Sequence, residues 1–150
     1  MNILSLVESQ IEKDKLTSIN EGLSDYKLCA RKHLELQVKL SYLADETKCY
    51  NYKKIEITDL KENVIFERYI DFLSHVLSFG LFKNYFDNYE VDFLPNDYCL
   101  SDQFLNLYID INDLIVSSSK DHLFTLLEDI FSLGVTLGYS EDQIKNSFIF

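Results

Sequence analysis

Apolar residues recur along this chain at spacings of three and four, and runs of strict alternation are absent, so the pattern predicts helices. The first covers Asn2 to Leu16, with Ile3, Leu4, Leu6, Val7, Ile11 and Leu16 as apolar members and Gln10 among them. Small and polar residues from Thr17 to Ser24 break it, and Ser24 or Asp25 can cap a second helix from about Tyr26 to Tyr50. Cys29, Leu36, Leu40, Leu43, Thr47 and Tyr50 fall on one side of that helix. Glu35, Lys39, Tyr42 and Glu46 form an adjoining polar stripe.

A third helix is predicted from Leu60 to Asn84, started by Thr58 or Asp59. Its apolar residues (Ile65, Phe66, Tyr69, Ile70, Leu73, Val76, Leu77, Leu81) are dense enough to bury two faces, which places it at the centre of a bundle. Gly80 weakens it unless another backbone approaches there. Asp87 to Leu100 holds the single proline, Pro95, and reads as a loop. A fourth helix starts at Ser101 or Asp102 and presents Leu105, Tyr108, Ile109, Asn112 and Ile115 on one face. Ser117 to Ser119 connects it to a fifth, carrying Leu123, Phe124, Leu127, Ile130, Phe131 and Leu133 and stopped by Gly138. Ser140 with Gln143 has the form of a capping box for a short last helix. The expected fold is one all-α domain over residues 1–150, a bundle with antiparallel helices across short turns.

Composition narrows the function classes. The chain is 47% hydrophobic with only four Gly and one Pro, which argues for a packed helical core rather than disorder or a β-fold. A formal charge of −11 repels nucleic-acid phosphates and anionic membranes, so neither is an expected partner. No apolar run is long enough for a bilayer span, and the N-terminus lacks a basic lead and a cleavage site. The odd, widely spaced Cys29, Cys49 and Cys99 suit a reducing compartment, so the expected location is the cytoplasm. Twenty-one Phe and Tyr residues supply a core with surplus for an oligomer interface.

The run LADETKCYNYKK (43–54), followed by RYIDFLSHVLSFGL (68–81), resembles the dimeric dUTPases, all-α nucleoside triphosphate pyrophosphatases grouped with MazG-type enzymes. The resemblance covers roughly Gln10 to Leu81, with weaker echoes to the end. It implies a homodimer of dUTPase/MazG-like bundles whose relatives hydrolyse dUTP to dUMP and pyrophosphate. In that family four carboxylates, two on each of two adjacent helices, hold Mg²⁺. The ion favours hard oxygen ligands in an octahedron and bridges carboxylates to phosphates.

Carried over residue by residue, the first carboxylate position holds Lys39 and the second Tyr42. On the next helix the positions hold Arg68 and Asp71, so one acid of four survives. The family histidine three residues on is Ser74, with His75 displaced by one, and the lysine that follows the first helix is Tyr50. Asp45 and Glu46 do match the family's Asn-Glu pair, and Gln10 matches a glutamine that reads the uracil ring. The family's C-terminal Lys, Asn and Arg, which grip phosphates, have no counterpart before Phe150. Two cations, one anion and a phenol carry a formal charge of +1 where four carboxylates would carry −4.

Lys39, with Arg68 beside it, is therefore expected to fill the metal's place as a buried ion pair with Asp71. The resulting expectation is a dUTPase-like protein without catalysis and without a metal cofactor, which binds a nucleotide or a protein partner. The competing reading is a working Mg²⁺-dependent dUTP or dNTP diphosphatase whose ligands are Asp71 with the displaced Asp45, Glu46 and Glu67.

Overall fold

A computed structural model describes residues 1–148. Those residues form six helices: α1 (Leu4–Lys15), α2 (Asp25–Thr47), α3 (Glu62–Phe82), α4 (Leu100–Val116), α5 (Lys120–Leu137) and α6 (Glu141–Ser147). The all-α class is as expected. Three caps fall where serine can accept a free backbone N–H: Ser24 from Lys27, Ser119 from His122 and Ser140 from Gln143. Gly138 closes α5 with φ 89°, a left-handed conformation that glycine adopts without a Cβ clash.

The core is organised around α3. Ile65, Tyr69, Phe72, Leu73, Val76, Leu77 and Phe79 are buried and cover a broad face of the helix, which packs against α1, α2 and α5. Full burial of each large side chain is worth about 1.5–3 kcal/mol, so this one helix anchors much of the hydrophobic stabilisation. From α2, Leu36, Leu40 and Leu43 meet it, and Leu6 and Val7 come from α1. The N-terminus is pinned by exchanged backbone bonds: the Met1 amino group donates to Val91 O (2.9 Å), and Val91 N to Met1 O (3.0 Å).

Several boundaries and faces differ from the sequence reading. Neither Thr58 nor Asp59 caps α3. Asp59 is left-handed (φ 68°), which keeps it outside the helix, and Lys61 takes the cap position without a side-chain bond. At the start of α4 the cap position falls to Cys99, not Ser101 or Asp102. Tyr50 lies beyond the end of α2 and is 57% exposed. The close approach at Gly80 is made by side chains, not backbone: an added Cβ would sit 2.6 Å from Phe86 and 2.7 Å from Leu123. The largest difference is the buried face of α4, which is Gln103, Phe104, Leu107, Asp110, Ile111 and Leu114. Leu105 and Ile109, expected inside, are exposed. Helix α4 carries apolar residues at helical spacing on two faces, and only packing against α2 and α5 decides which is covered.

Tyr69 couples α3 to α5. Its ring is fully buried and its hydroxyl donates to Ile130 O (2.9 Å). Gly134 leaves room for that hydroxyl, since a Cβ there would stand 2.5 Å from it. Gly134→Ala should gain roughly 1 kcal/mol of helix propensity. It should lose more, about 2–3 kcal/mol, through the displaced Tyr69 and its broken bond. Chemical denaturation should therefore show net destabilisation, smaller when Tyr69→Phe is present.

Candidate functional site

The seam between α2 and α3 brings together the four positions that the resemblance assigns to carboxylates. Residues 35, 39, 42 and 46 lie on one face of α2 because steps of three and four return to the same side of a helix. Arg68, Asp71 and His75 follow the same spacing on α3. Lys39 Nζ stands 3.0 Å from Asp71 Oδ2, so the ion pair expected between them forms. It is not buried: the side chains are 24% and 32% exposed, which lets water share both charges. Arg68 does not join the pair. Its guanidinium lies over the Tyr42 ring, 5.1 Å from the centroid, and Lys39 Nζ approaches the same ring at 5.9 Å.

The network continues along α3. His75 Nδ1 is 2.7 Å from Asp71 O, and a carbonyl acceptor there requires the proton on Nδ1. That nitrogen also lies 3.4 Å from Asp71 Oδ1, while Nε2 faces Glu35 Oε1 at 3.5 Å. Glu35, His75, Asp71 and Lys39 thus form one polar chain across the seam. Its Glu35 end was missed in the sequence, where Glu35 stood only as a member of the α2 stripe. The available signal was His75, one helical turn beyond Asp71.

Gln10 is buried (3% exposed) and both heavy atoms of its amide are engaged. Oε1 accepts from Ser74 Oγ (2.6 Å), and Nε2 donates to Asp14 Oδ1 (2.8 Å). Ser78 Oγ donates to the other Asp14 oxygen (3.0 Å), and Lys13 Nζ donates to Ser74 Oγ (3.2 Å). Asp14 and Ser78 line a groove of about 370 Å³ together with Arg31, Lys32 and Glu35. Gln10 is not among its lining residues; it bonds to Asp14, which is. A shallower groove of about 320 Å³, over Arg31, Glu35, Lys39 and Tyr42, adjoins it.

The donor set at the four positions does not fit Mg²⁺. An ammonium and a guanidinium offer only hydrogens, and Asp71 already faces the Lys39 cation. Asp45, Glu46 and Glu67 are not drawn to Asp71 to make up a ligand set: among the described residues, no three His, Cys, Asp or Glu side chains are grouped to hold a metal ion. Glu67 is exposed. Asp45 accepts from Tyr50 OH (2.8 Å) and Lys48 Nζ (3.2 Å), and these bonds hold its carboxyl below the usual range.

A family model described as dUTPase matches residues 2–150. No curated protein and no solved structure matches the chain. Among the described residues, no helix is long and apolar enough to cross a membrane.

The partial exposure of Lys39 and Asp71 sets the size of their coupling. A double-mutant cycle with Lys39→Met and Asp71→Asn should give about 0.5–1 kcal/mol, weakening in high salt. A coupling above roughly 3 kcal/mol would mean a desolvated pair, which this exposure contradicts.

Proposed function

The chain belongs to the dUTPase family, and we propose that it is a member that does not hydrolyse dUTP and acts by binding, as a homodimer in the cytoplasm. The observation that carries this reading is the Lys39–Asp71 contact. In a two-metal phosphoryl-transfer site the ions neutralise charge on the phosphates and generate the attacking hydroxide. A lysine can supply the first service as a fixed charge, but it cannot lower the pKa of a bound water as a divalent ion does. Arg68, folded over Tyr42, adds a second positive charge without adding a ligand. Chemistry of the family type therefore has no nucleophile generator here. An anion or a polar partner surface would meet Lys39, Arg31 and Tyr42 along the α2 face. The engaged amide of Gln10 favours a partner other than a uracil ring.

A second copy is the partner the α2–α4 face suits. The groove at one end of that seam is lined by Tyr26, Cys29, Ala30, His33, Leu34, Gln37 and Ile115. The groove at the other end is lined by Ser41, Ala44, Asp45, Cys49, Tyr50, Ser101, Phe104, Leu105 and Tyr108. Asp45 apart, these residues carry no charge. His33 stays neutral because burial, then Lys83, holds its imidazole below the usual range. Leu105, Ile109 and Val116 stand exposed on α4 beside them (63%, 58% and 77%). On a chain of charge −11, a largely apolar face, with Asp45, Asp102 and Asp113 as its acids, is where two like copies meet the least repulsion. The free Cys29, Cys49 and Cys99 suit a reducing cytoplasm.

Incubation with a panel of nucleoside triphosphates, dUTP included, and Mg²⁺ or Mn²⁺ should release no pyrophosphate above the uncatalysed background. Turnover that is abolished by Asp71→Ala would overturn the proposal. Sedimentation should show a dimer that Leu105→Lys with Ile109→Glu converts to a folded monomer; a wild-type monomer at high micromolar concentration would refute the second copy.

A further inference from the structure

The seam between α4 and α5 carries a polar ladder remote in sequence from the α2–α3 site. Gln103 Nε2 donates to Thr136 Oγ1 (2.8 Å), and Asn106 Nδ2 donates to Asp129 Oδ2 (2.9 Å). One turn beyond Asn106, on the same face of α4 that meets Asp129, Asp110 is 7% exposed, and the Asp129 carboxyl is among the neighbours that raise its pKa. Its Oδ2 is buried and meets no hydrogen-bond donor. Two carboxylates cannot both stay ionised in contact at such a place, so something positive must lie between them. A divalent cation would need further oxygen ligands, yet no third acid is grouped with them among the described residues. A proton needs none.

We propose that Asp110 and Asp129 form a proton-held latch: one shared proton bonds α4 to α5, and its loss sets two carboxylates against each other and loosens that helix pair. The charged groups around the latch all oppose ionisation. Asp129 faces Asp110 from α5, and Asp113 adds its charge from the next turn of α4. Asp92 and Glu128 add negative charge around Asp129's side of the seam. Helix α2, on the other side of α4, meets it through the neutral Ser41–Tyr108 hydroxyl contact (2.5 Å). Among the described residues, the charges that shift Asp110 are all negative.

Burial, followed by the Asp129 carboxyl, raises the Asp110 carboxyl from 3.8 to about 8. The native protein therefore holds one proton more than the unfolded chain between those values. The stabilisation is full below the unfolded value and is lost as pH rises through about 8. Asn at 110 keeps a donor facing Asp129 and cannot ionise.

Carboxyl ¹³C NMR of the wild-type protein in EDTA reads the latch directly. The Asp110 resonance should titrate near 8, whereas a midpoint near the ordinary 3.8 overturns the proposal. A resonance that shifts on adding Mg²⁺ or Ca²⁺ also overturns it, since the pair would then hold a cation. Amide hydrogen exchange, corrected for its intrinsic pH dependence, should show α4 and α5 losing protection between pH 6.5 and 9 while α1 and α3 keep theirs. Asp110→Asn should abolish that loss. Uniform loss in all four helices, or loss that persists in Asp110→Asn, would refute the latch.

Discussion

The broad buried face of α3 is the constraint from which the rest of this molecule follows. A helix that carries Tyr69, Phe72, Phe79 and four buried Leu, Ile and Val residues within its 21 residues cannot lie on a surface. That face must be covered, and α1, α2 and α5 are the helices that cover it. Once α2 lies along it, the register between them is set by Leu36, Leu40 and Leu43, and Glu35, Lys39 and Tyr42 on the neighbouring stripe are brought to His75, Asp71 and Arg68. The site is a consequence of that packing: side chains at 39 and 71 meet because Leu40 and Phe72, one position away, are locked in the core.

The same packing holds the shape of the seam whatever charges lie along it. Hydrophobic burial holds the two helices together, so the charges between them are free to change sign at little cost to stability. Lys39 opposite Asp71 satisfies both charges, and Arg68 finds the Tyr42 face rather than the carboxylate. The family fold is thus retained with Lys39, Tyr42, Arg68 and Asp71 along the seam between α2 and α3. The partly exposed position of the pair keeps its contribution small, so it is not the source of the bundle's stability.

Much of the fold was legible in the sequence because its helices are long and densely apolar. The serine caps at 24 and 140 and the stop at Gly138 needed only local chemistry. The buried face of α4 was not legible, since both of its faces carry apolar residues at helical spacing and the choice rests on distant helices. The Gln103–Thr136 and Asp110–Asp129 contacts were hidden for the same reason: their partners lie far apart in the chain. In the site, the Lys39–Asp71 pair could be read from opposite charges on facing helices. Its solvent exposure, the turn of Arg68 onto Tyr42 and the inward bonding of Gln10 depend on local geometry that residue types alone do not specify.

Anomalous diffraction from crystals soaked with Mn²⁺ and a non-hydrolysable dUTP analogue tests the central claim most directly. The account predicts no manganese peak within ligand distance of Asp71, with the Lys39 ammonium still against its carboxylate. A peak bound to Asp71, with Lys39 swung away and other carboxylates drawn in, would contradict it.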